Sequence, residues 1–165
     1  MTSKSLPPKQ PIEDIRDGCP VLLVPLPCGG YALCDPEDHA GLADLEFSPR
    51  WSERSNGRGA RYIHLHALLP RDIGGRWPTQ EVARLIVARR MVLEERRTGK
   101  RIQGRFRVGY RNGDHRDLRF SNLVLLPARN RRGSFRATWD VRERLKVREA
   151  GESPVAVFRA RKGRT

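Results

Sequence analysis

Residues 108–123 read Val108-Gly109-Tyr110-Arg111-Asn112-Gly113-Asp114-His115-Arg116-Asp117-Leu118-Arg119-Phe120-Ser121-Asn122-Leu123. Just ahead of them, Arg105–Val108 alternates charged and apolar side chains, the period of a half-buried strand. Asn112-Gly113-Asp114 is a turn, because glycine and Asx residues supply the backbone conformations that tight turns need. Asn122–Leu126 is a compact apolar strand. The stretch therefore predicts a hairpin whose connection is long and rich in polar side chains.

Outward from it, the chain is a series of short segments. Pro127 leads into Arg129-Asn130-Arg131-Arg132 before Gly133. Trp139–Glu149 predicts a helix capped by Thr138 and ended by Gly151, and Val155–Arg161 alternates like a last strand. Upstream, Pro78–Gly99 carries the clearest helical pattern. Val82, Leu85, Ile86, Val87, Met91 and Leu93 form its apolar face, Arg89, Arg90, Arg96 and Arg97 its exposed side, Thr79 its cap and Gly99 its stop. Trp51, the Gly57-Arg58-Gly59 turn and Tyr62–His66 predict a hairpin with Tyr62, His64 and His66 on one face, Ile63 and Leu65 on the other. Asp35-Pro36 starts a short helix running through Leu42 and Leu45. Tyr31–Cys34 is a strand after the Gly29-Gly30 turn. Pro25 assigns Val21–Leu26 to a sheet edge, since proline cannot donate to a central ladder. Residues 1–20, with Pro7, Pro8, Pro11 and Pro20, read as a flexible arm. The fold class is α+β, built of small strands and hairpins around an amphipathic helix.

The chain has 165 residues, 33 Lys+Arg against 19 Asp+Glu, and a formal net charge of +14. Hydrophobic content is 38% and charged content 32%, and no apolar run approaches the ~20 residues that span a bilayer. The N-terminus has no apolar core of the kind a secretory signal carries. Membrane proteins and disulfide-stapled mini-domains are excluded, and a polyanion is the leading partner. Residues 1–99 carry 14 basic and 13 acidic side chains, residues 100–165 carry 19 and 6, so the excess lies almost wholly in the C-terminal part. Arginine outnumbers lysine 28 to 5. Its planar fork suits phosphate and guanine edges, although a GC-rich genome produces the same bias.

Cys19, Cys28 and Cys34 form no C-x-x-C pair, and an odd count without a signal peptide points to reduced thiols. Cys28, Cys34, His64 and His66 are zinc candidates by residue type. His64 and His66 are the better pair, because His-x-His on a strand points both rings the same way. The competing reading makes Cys34 a core residue and the histidines members of a half-buried strand.

The 108–123 stretch resembles the HNH (ββα-metal) endonuclease motif of phage-type homing nucleases, in which it reads approximately Val-Asp-His-x-Asn-Gly-Asp-x-x-Asp-Asn-Arg-x-x-Asn-Leu. The match includes Asn112-Gly113-Asp114, Asp117, Arg119 and Asn122-Leu123 without a gap. Tyr31-Ala32-Leu33-Cys34-Asp35, Trp51 and Ile63-His64-Leu65-His66 are similar to the family's preceding strands. The resemblance covers roughly 31–132 and implies an organisation into a flexible arm (1–20), a strand-rich part (21–77), an inserted helix (78–99), an HNH-like ββα unit (100–135) and a basic helix/strand extension (136–165). It also implies a phage or prophage origin and a place in the host cytoplasm.

Carried over residue by residue, the family's general base falls on Tyr110 and its metal-binding aspartate on Gly109. Tyrosine, with an ordinary pKa near ~10, is a poor base at neutral pH, and glycine gives a metal no side chain. Asn122 holds the middle position, where the family uses it to brace the loop. The third position is Asn130 or Arg131, depending on a one-residue gap. The chain thus reads as a degenerate, non-catalytic nucleic-acid-binding protein with no cofactor. Its partner is double-stranded DNA, and Arg105, Arg107, Arg111, Arg129, Arg131, Arg132 and Arg136 are its DNA-binding residues. Phe135 and Trp139 are either stacking or core residues. Two alternatives stand beside it. One is an active nuclease with a relocated site of His115, Asp114, Asp117 and Asn122, using Mg²⁺ or another divalent metal. The other is a basic protein-interaction module or inhibitor of a host enzyme. Charge alone does not separate DNA from RNA.

Overall fold

The computed structural model describes residues 10–67, 79–101, 106–128 and 135–162. Its architecture is α+β. Strands β1 (Ile12–Arg16), β2 (Cys19–Pro25) and β3 (Tyr31–Cys34) form one antiparallel sheet in the order β1-β2-β3. Helix α1 (Pro36–Asp44) follows, then a second antiparallel sheet of β4 (Trp51–Ser55), β5 (Arg61–His66) and β6 (Thr79–Glu81). Helix α2 (Val82–Thr98) leads to the β7 (Phe106–Tyr110) and β8 (Leu123–Pro127) hairpin, and α3 (Phe135–Glu149) and α4 (Pro154–Lys162) close the chain.

Two corrections concern the N-terminal region. Part of the expected arm is strand β1, turned back onto β2 by Asp17 and Gly18 at φ 53° and 75°. Both central residues of that two-residue loop adopt positive φ, as the I′ turn preferred in hairpins demands. Residues 1–9 lie outside the described residues. Pro25 does not place β2 at an edge either. β2 is the central strand, and its prolines sit near its two ends, Pro20 opposite Ile15 and Pro25 opposite Tyr31. Proline is tolerated where the ladder begins or stops.

Helix α1 starts as expected, with Asp35 in extended conformation and Pro36 in the first turn. The Asp35 carboxylate does not cap its own helix. It accepts the Phe120 amide at 2.7 Å instead. Helix α2 begins later than expected, because Thr79–Glu81 pairs with His64–His66 as β6 and Glu81 takes the N-cap position. Gly99 ends the helix at φ 69° and donates its amide to the Glu95 carbonyl, as read. Arg89 and Arg90 are only partly exposed. Both reach back to Asp38, a fully buried carboxylate on α1, and Arg90 donates to both its oxygens at 2.8–3.1 Å. Helix α2 therefore runs through the centre of the molecule, packing on α1, β5, β6, β7 and α3. Its Leu85, Ile86 and Val87 join Val24, Ala32, Trp51, Ile63, Leu65, Phe106 and Leu118 in one core.

The last expected strand is helix α4. Its first residue is Pro154, and the Ser153 hydroxyl accepts the Ala156 amide at 3.1 Å. Pro154 and Phe158 bury the same face one turn apart, so the alternation of 155–161 concealed an i, i+4 pattern. Trp139 packs with Phe158, ring centroids 6.4 Å apart, and belongs to the core side of α3, which already begins at residue 135. The Phe135 side chain lies outside the described residues.

Arg144 ties the C-terminal helices to the rest. Its guanidinium is 1% exposed, donates to Asp140 at 2.8 Å and to the Leu45 and Glu46 carbonyls at 2.9 and 3.0 Å, and lies 4.0 Å from the Phe47 ring centroid. Those carbonyls are acceptors just past the end of α1, so one side chain satisfies a helix end and a buried carboxylate together. Burial pushes the Asp140 carboxyl up to about 6, although Arg144 opposes the rise. Because the folded value lies above the unfolded one, this group's contribution is greatest below the unfolded pKa and is lost as pH rises through about 6. Arg144→Met leaves that carboxylate buried without its counter-charge, so it should cost about 3–5 kcal/mol in urea unfolding. The loss should be larger at pH 8 than at pH 5, where protonation relieves Asp140.

Candidate nucleic-acid interface

The connection between β7 and β8 is held from three sides. Inside the loop, the Asn112 amide donates to Asn122 Oδ1 at 2.9 Å and Asn122 Nδ2 donates to the Asp117 carbonyl at 2.8 Å. Asp117, buried, accepts from Arg119 Nε and Nη2 at 2.9 and 2.7 Å and from Asn112 Nδ2 at 3.0 Å. Burial raises the Asp117 carboxyl, but the Arg119 side-chain and backbone hydrogen bonds outweigh it and hold the group below the usual carboxylate range. Toward the first sheet, Leu33 donates to the Arg116 carbonyl and accepts from Leu118, both at 2.8 Å, and Arg119 Nη1 reaches Asp17 at 2.9 Å. Toward the second sheet, Arg116 grips Glu53 of β4 through Nε and Nη2 at 2.8 and 3.1 Å. Asp117 and Arg119 thus make a local contact, and Asn122 braces the loop.

The positions onto which the HNH resemblance carries the chemistry, Gly109 and Tyr110, are occupied otherwise. Gly109 lies on the β7 face that carries Arg107, opposite Val124. A Cβ placed there would meet Leu126 Cδ1 at 2.8 Å and Val124 Cγ1 at 3.0 Å, so the space of an aspartate is filled by β8 side chains. Tyr110 is half-buried and its hydroxyl donates to Glu81 Oε1 at 3.1 Å. Burial, then the Glu81 charge, pushes the phenol up, which keeps it protonated.

His115 is not a loose loop residue. Its Nδ1 donates to the Arg61 carbonyl at 2.8 Å, which fixes the ring's orientation. The ring stacks on Tyr62 at 4.5 Å and tilts against Tyr110 at 4.6 Å. Asp114 is exposed and accepts the Arg116 amide at 2.9 Å as a turn contact. The relocated set of His115, Asp114, Asp117 and Asn122 is therefore spread over an aromatic stack, a turn and a loop brace. The divalent metal that the family resemblance implies does not fit these residues: glycine stands at the ligand position, a donating phenol at the base position, and Asp117 is saturated by Arg119 and Asn112. Among the described residues no group of three or more His, Cys, Asp or Glu is placed to hold a metal ion. His64 and His66 do share a face as read, with the His64 Nδ1 on the Tyr62 carbonyl at 3.1 Å. Cys34 is fully buried and burial pushes its thiol up, while Cys28 is exposed beside Glu53 and Arg116.

Of the DNA-binding candidates, Arg107 and Arg111 are exposed and carry no carboxylate partner among the described residues. Arg136 is half-buried on α3. Arg105, Arg129, Arg131 and Arg132, with the Asn130 and Arg131 alternatives for the third motif position, lie outside the described residues. The sequence asymmetry of charge is much reduced in space. Arg116, Arg119, Arg142 and Arg148 pair with Glu53, Asp17, Glu95 and Asp44, all carboxylates of the N-terminal part. Sequence reading missed Glu53 and Glu81 as site residues, because the partners that reveal them, Arg116 and Tyr110, lie 63 and 29 positions away.

The chain matches no protein-family model, no curated protein and no solved structure. No helix among the described residues is long and apolar enough to cross a membrane.

The Arg116 hydrogen bonds, aided by Arg61, hold the Glu53 carboxyl down to about 2. Because the folded value lies below the unfolded one, the anchor is fully present above the ordinary glutamate range and is lost as pH falls through about 2. Glu53→Gln should therefore cost about 2 kcal/mol at neutral pH. It should also speed hydrogen exchange at the Leu33 and Leu118 amides, which bridge the loop to β3, and the difference from the parent should shrink in acid.

Proposed function

We propose that the protein is a non-catalytic nucleic-acid-binding protein with an HNH-like hairpin, gripping double-stranded DNA through arginines on the outer face of β7. The observation that carries the reading is the pair Arg107 and Arg111. Arg107 on β7 and Arg111 just past its end flank Gly109, exposed and without carboxylate partners among the described residues, while Val124 and Leu126 fill the space beside Gly109. Two cations separated by an apolar floor suit the phosphates and sugar of a nucleic-acid backbone. Such contacts position a protein without reading sequence, and their affinity falls steeply with salt. The occupation of the base and ligand positions by Tyr110 and Gly109 supports the non-catalytic half of the reading. A role as a phage- or prophage-encoded regulator in the host cytoplasm extends the same proposal.

One observation favours the active-nuclease reading instead. The Nδ1 contact with the Arg61 carbonyl leaves Nε2 as the ring nitrogen free to meet a water or substrate, the orientation a general base needs.

Titration of duplex DNA across a salt series should give a linear log–log dependence, and Arg107→Ala and Arg111→Ala should each reduce its slope by about 1. Plasmid incubated with the protein and Mg²⁺ or Mn²⁺ should stay supercoiled. Metal-dependent nicking abolished by His115→Ala would overturn the non-catalytic reading. Absence of DNA binding at low ionic strength would leave the protein-interaction alternative. Restoring the family residues with the double variant Gly109→Asp, Tyr110→His should not create cutting, and it should lower stability by about 1–3 kcal/mol through crowding against Leu126 and Val124.

A further inference from the structure

We propose that the free end of the β4–β5 hairpin is a second DNA contact, in which Arg58 enters the minor groove while Arg54 and Arg61 rest on flanking phosphates. The inference rests on the nucleic-acid reading above and places a grip in the half of the chain whose charges nearly cancel.

Strand β6 pairs with His64–His66 alone, so β4 and β5 continue past it as a two-stranded ribbon. From Arg54 to Arg61 that ribbon reads Arg-Ser-Asn-Gly-Arg-Gly-Ala-Arg, three cations without one acid. Every residue of it except Ala60 is exposed. The nearest carboxylate, Glu53, points inward to Arg116. Arg61 touches it at 3.3 Å yet keeps 66% of its side chain exposed. Arg54 and Arg58 have no partner for their guanidinium groups among the described residues.

The tip is fixed in shape before anything binds. Ser55 Oγ accepts the Gly57 amide at 3.1 Å, Asn56 Oδ1 accepts the Arg58 amide at 2.8 Å, and the Asn56 amide donates to the Ala60 carbonyl at 2.9 Å. A preformed tip avoids much of the ordering cost of association. It is also narrow. Gly57 and Gly59, at φ 77° and 88°, flank Arg58 with no side chains and no atoms near where a Cβ would stand. A single arginine projecting from a stripped turn matches the minor groove, about 6 Å wide, better than the major groove of about 12 Å. Narrow A-tract minor grooves concentrate negative potential and attract inserted arginines.

Fluorescence-anisotropy titrations of the full chain against an A-tract duplex, a GC-alternating duplex and a single strand test this. The parent should prefer the A-tract duplex, and netropsin, a minor-groove ligand, should displace it. Arg58→Ala should bind the A-tract about tenfold more weakly and lose the preference. Arg54→Ala with Arg58→Ala should lower the salt slope by about 2. Thermal melting of these variants should equal the parent's, because the altered side chains are exposed and their guanidinium groups make no hydrogen bond or ion pair among the described residues. Parent-like binding by Arg58→Ala, indifference to netropsin, or equal affinity for the single strand would overturn the hairpin proposal while leaving the Arg107 and Arg111 reading in place. Failure of the parent to bind any duplex at low salt would overturn both.

Discussion

Arg116 joins the second sheet to a loop that is itself laced to the first, and the arrangement of the molecule depends on that junction. Its guanidinium holds Glu53 on β4 while its carbonyl accepts the Leu33 amide of β3. The two sheets do not share strands; they meet in the common core, and one polar loop is bonded to both. Such a loop must satisfy its own interior, which Asp117, Arg119, Asn112 and Asn122 do among themselves. Polar side chains in this position are costly when unpaired and stiffening when paired. Both carboxylate oxygens of Asp117 are taken up by Arg119 and Asn112.

How far the sequence announced this depends on the range of the interaction concerned. Helix α2 and its Gly99 stop were legible because apolar period and capping are local, and so was the 51–66 hairpin with its Gly57-Arg58-Gly59 turn. Strand β6 was hidden, since Thr79–Glu81 becomes a strand only by pairing with His64–His66. Helix α4 was misread because seven residues of alternation satisfy period two and an i, i+4 contact equally well. At the site, the replacement of the expected ligands by Gly109 and Tyr110 was written in the sequence. What fills their places was not, because Leu126, Glu81 and Tyr62 arrive from other strands.

The charge asymmetry shows the same limit in another form. A count along the chain assigns the cationic surface to residues 100–165, yet several of those arginines spend their charge on carboxylates of the first half. Some of the acids that made the first half look neutral, among them Asp17, Asp44, Glu53 and Glu95, are drawn to these partners, and Arg54 and Arg58 remain solvated there. The cationic surface is therefore a property of the pairing pattern and not of the segment in which the arginines are written. Net charge survives folding, but its address changes.

The loop's long reach also makes the chain indivisible. Asp17, Asp35 and Glu53 are in place long before Arg116, Arg119 and the Phe120 amide are added to a growing polypeptide. Until then Glu53, 8% exposed in the finished structure, is a carboxylate without its principal counter-charge. A fragment ending between residues 82 and 115 would keep both sheets' residues and lose Arg116 and Arg119, the partners of Glu53 and Asp17. A cut between an N-terminal scaffold and a basic module would therefore sever ion pairs to which each side contributes one charge.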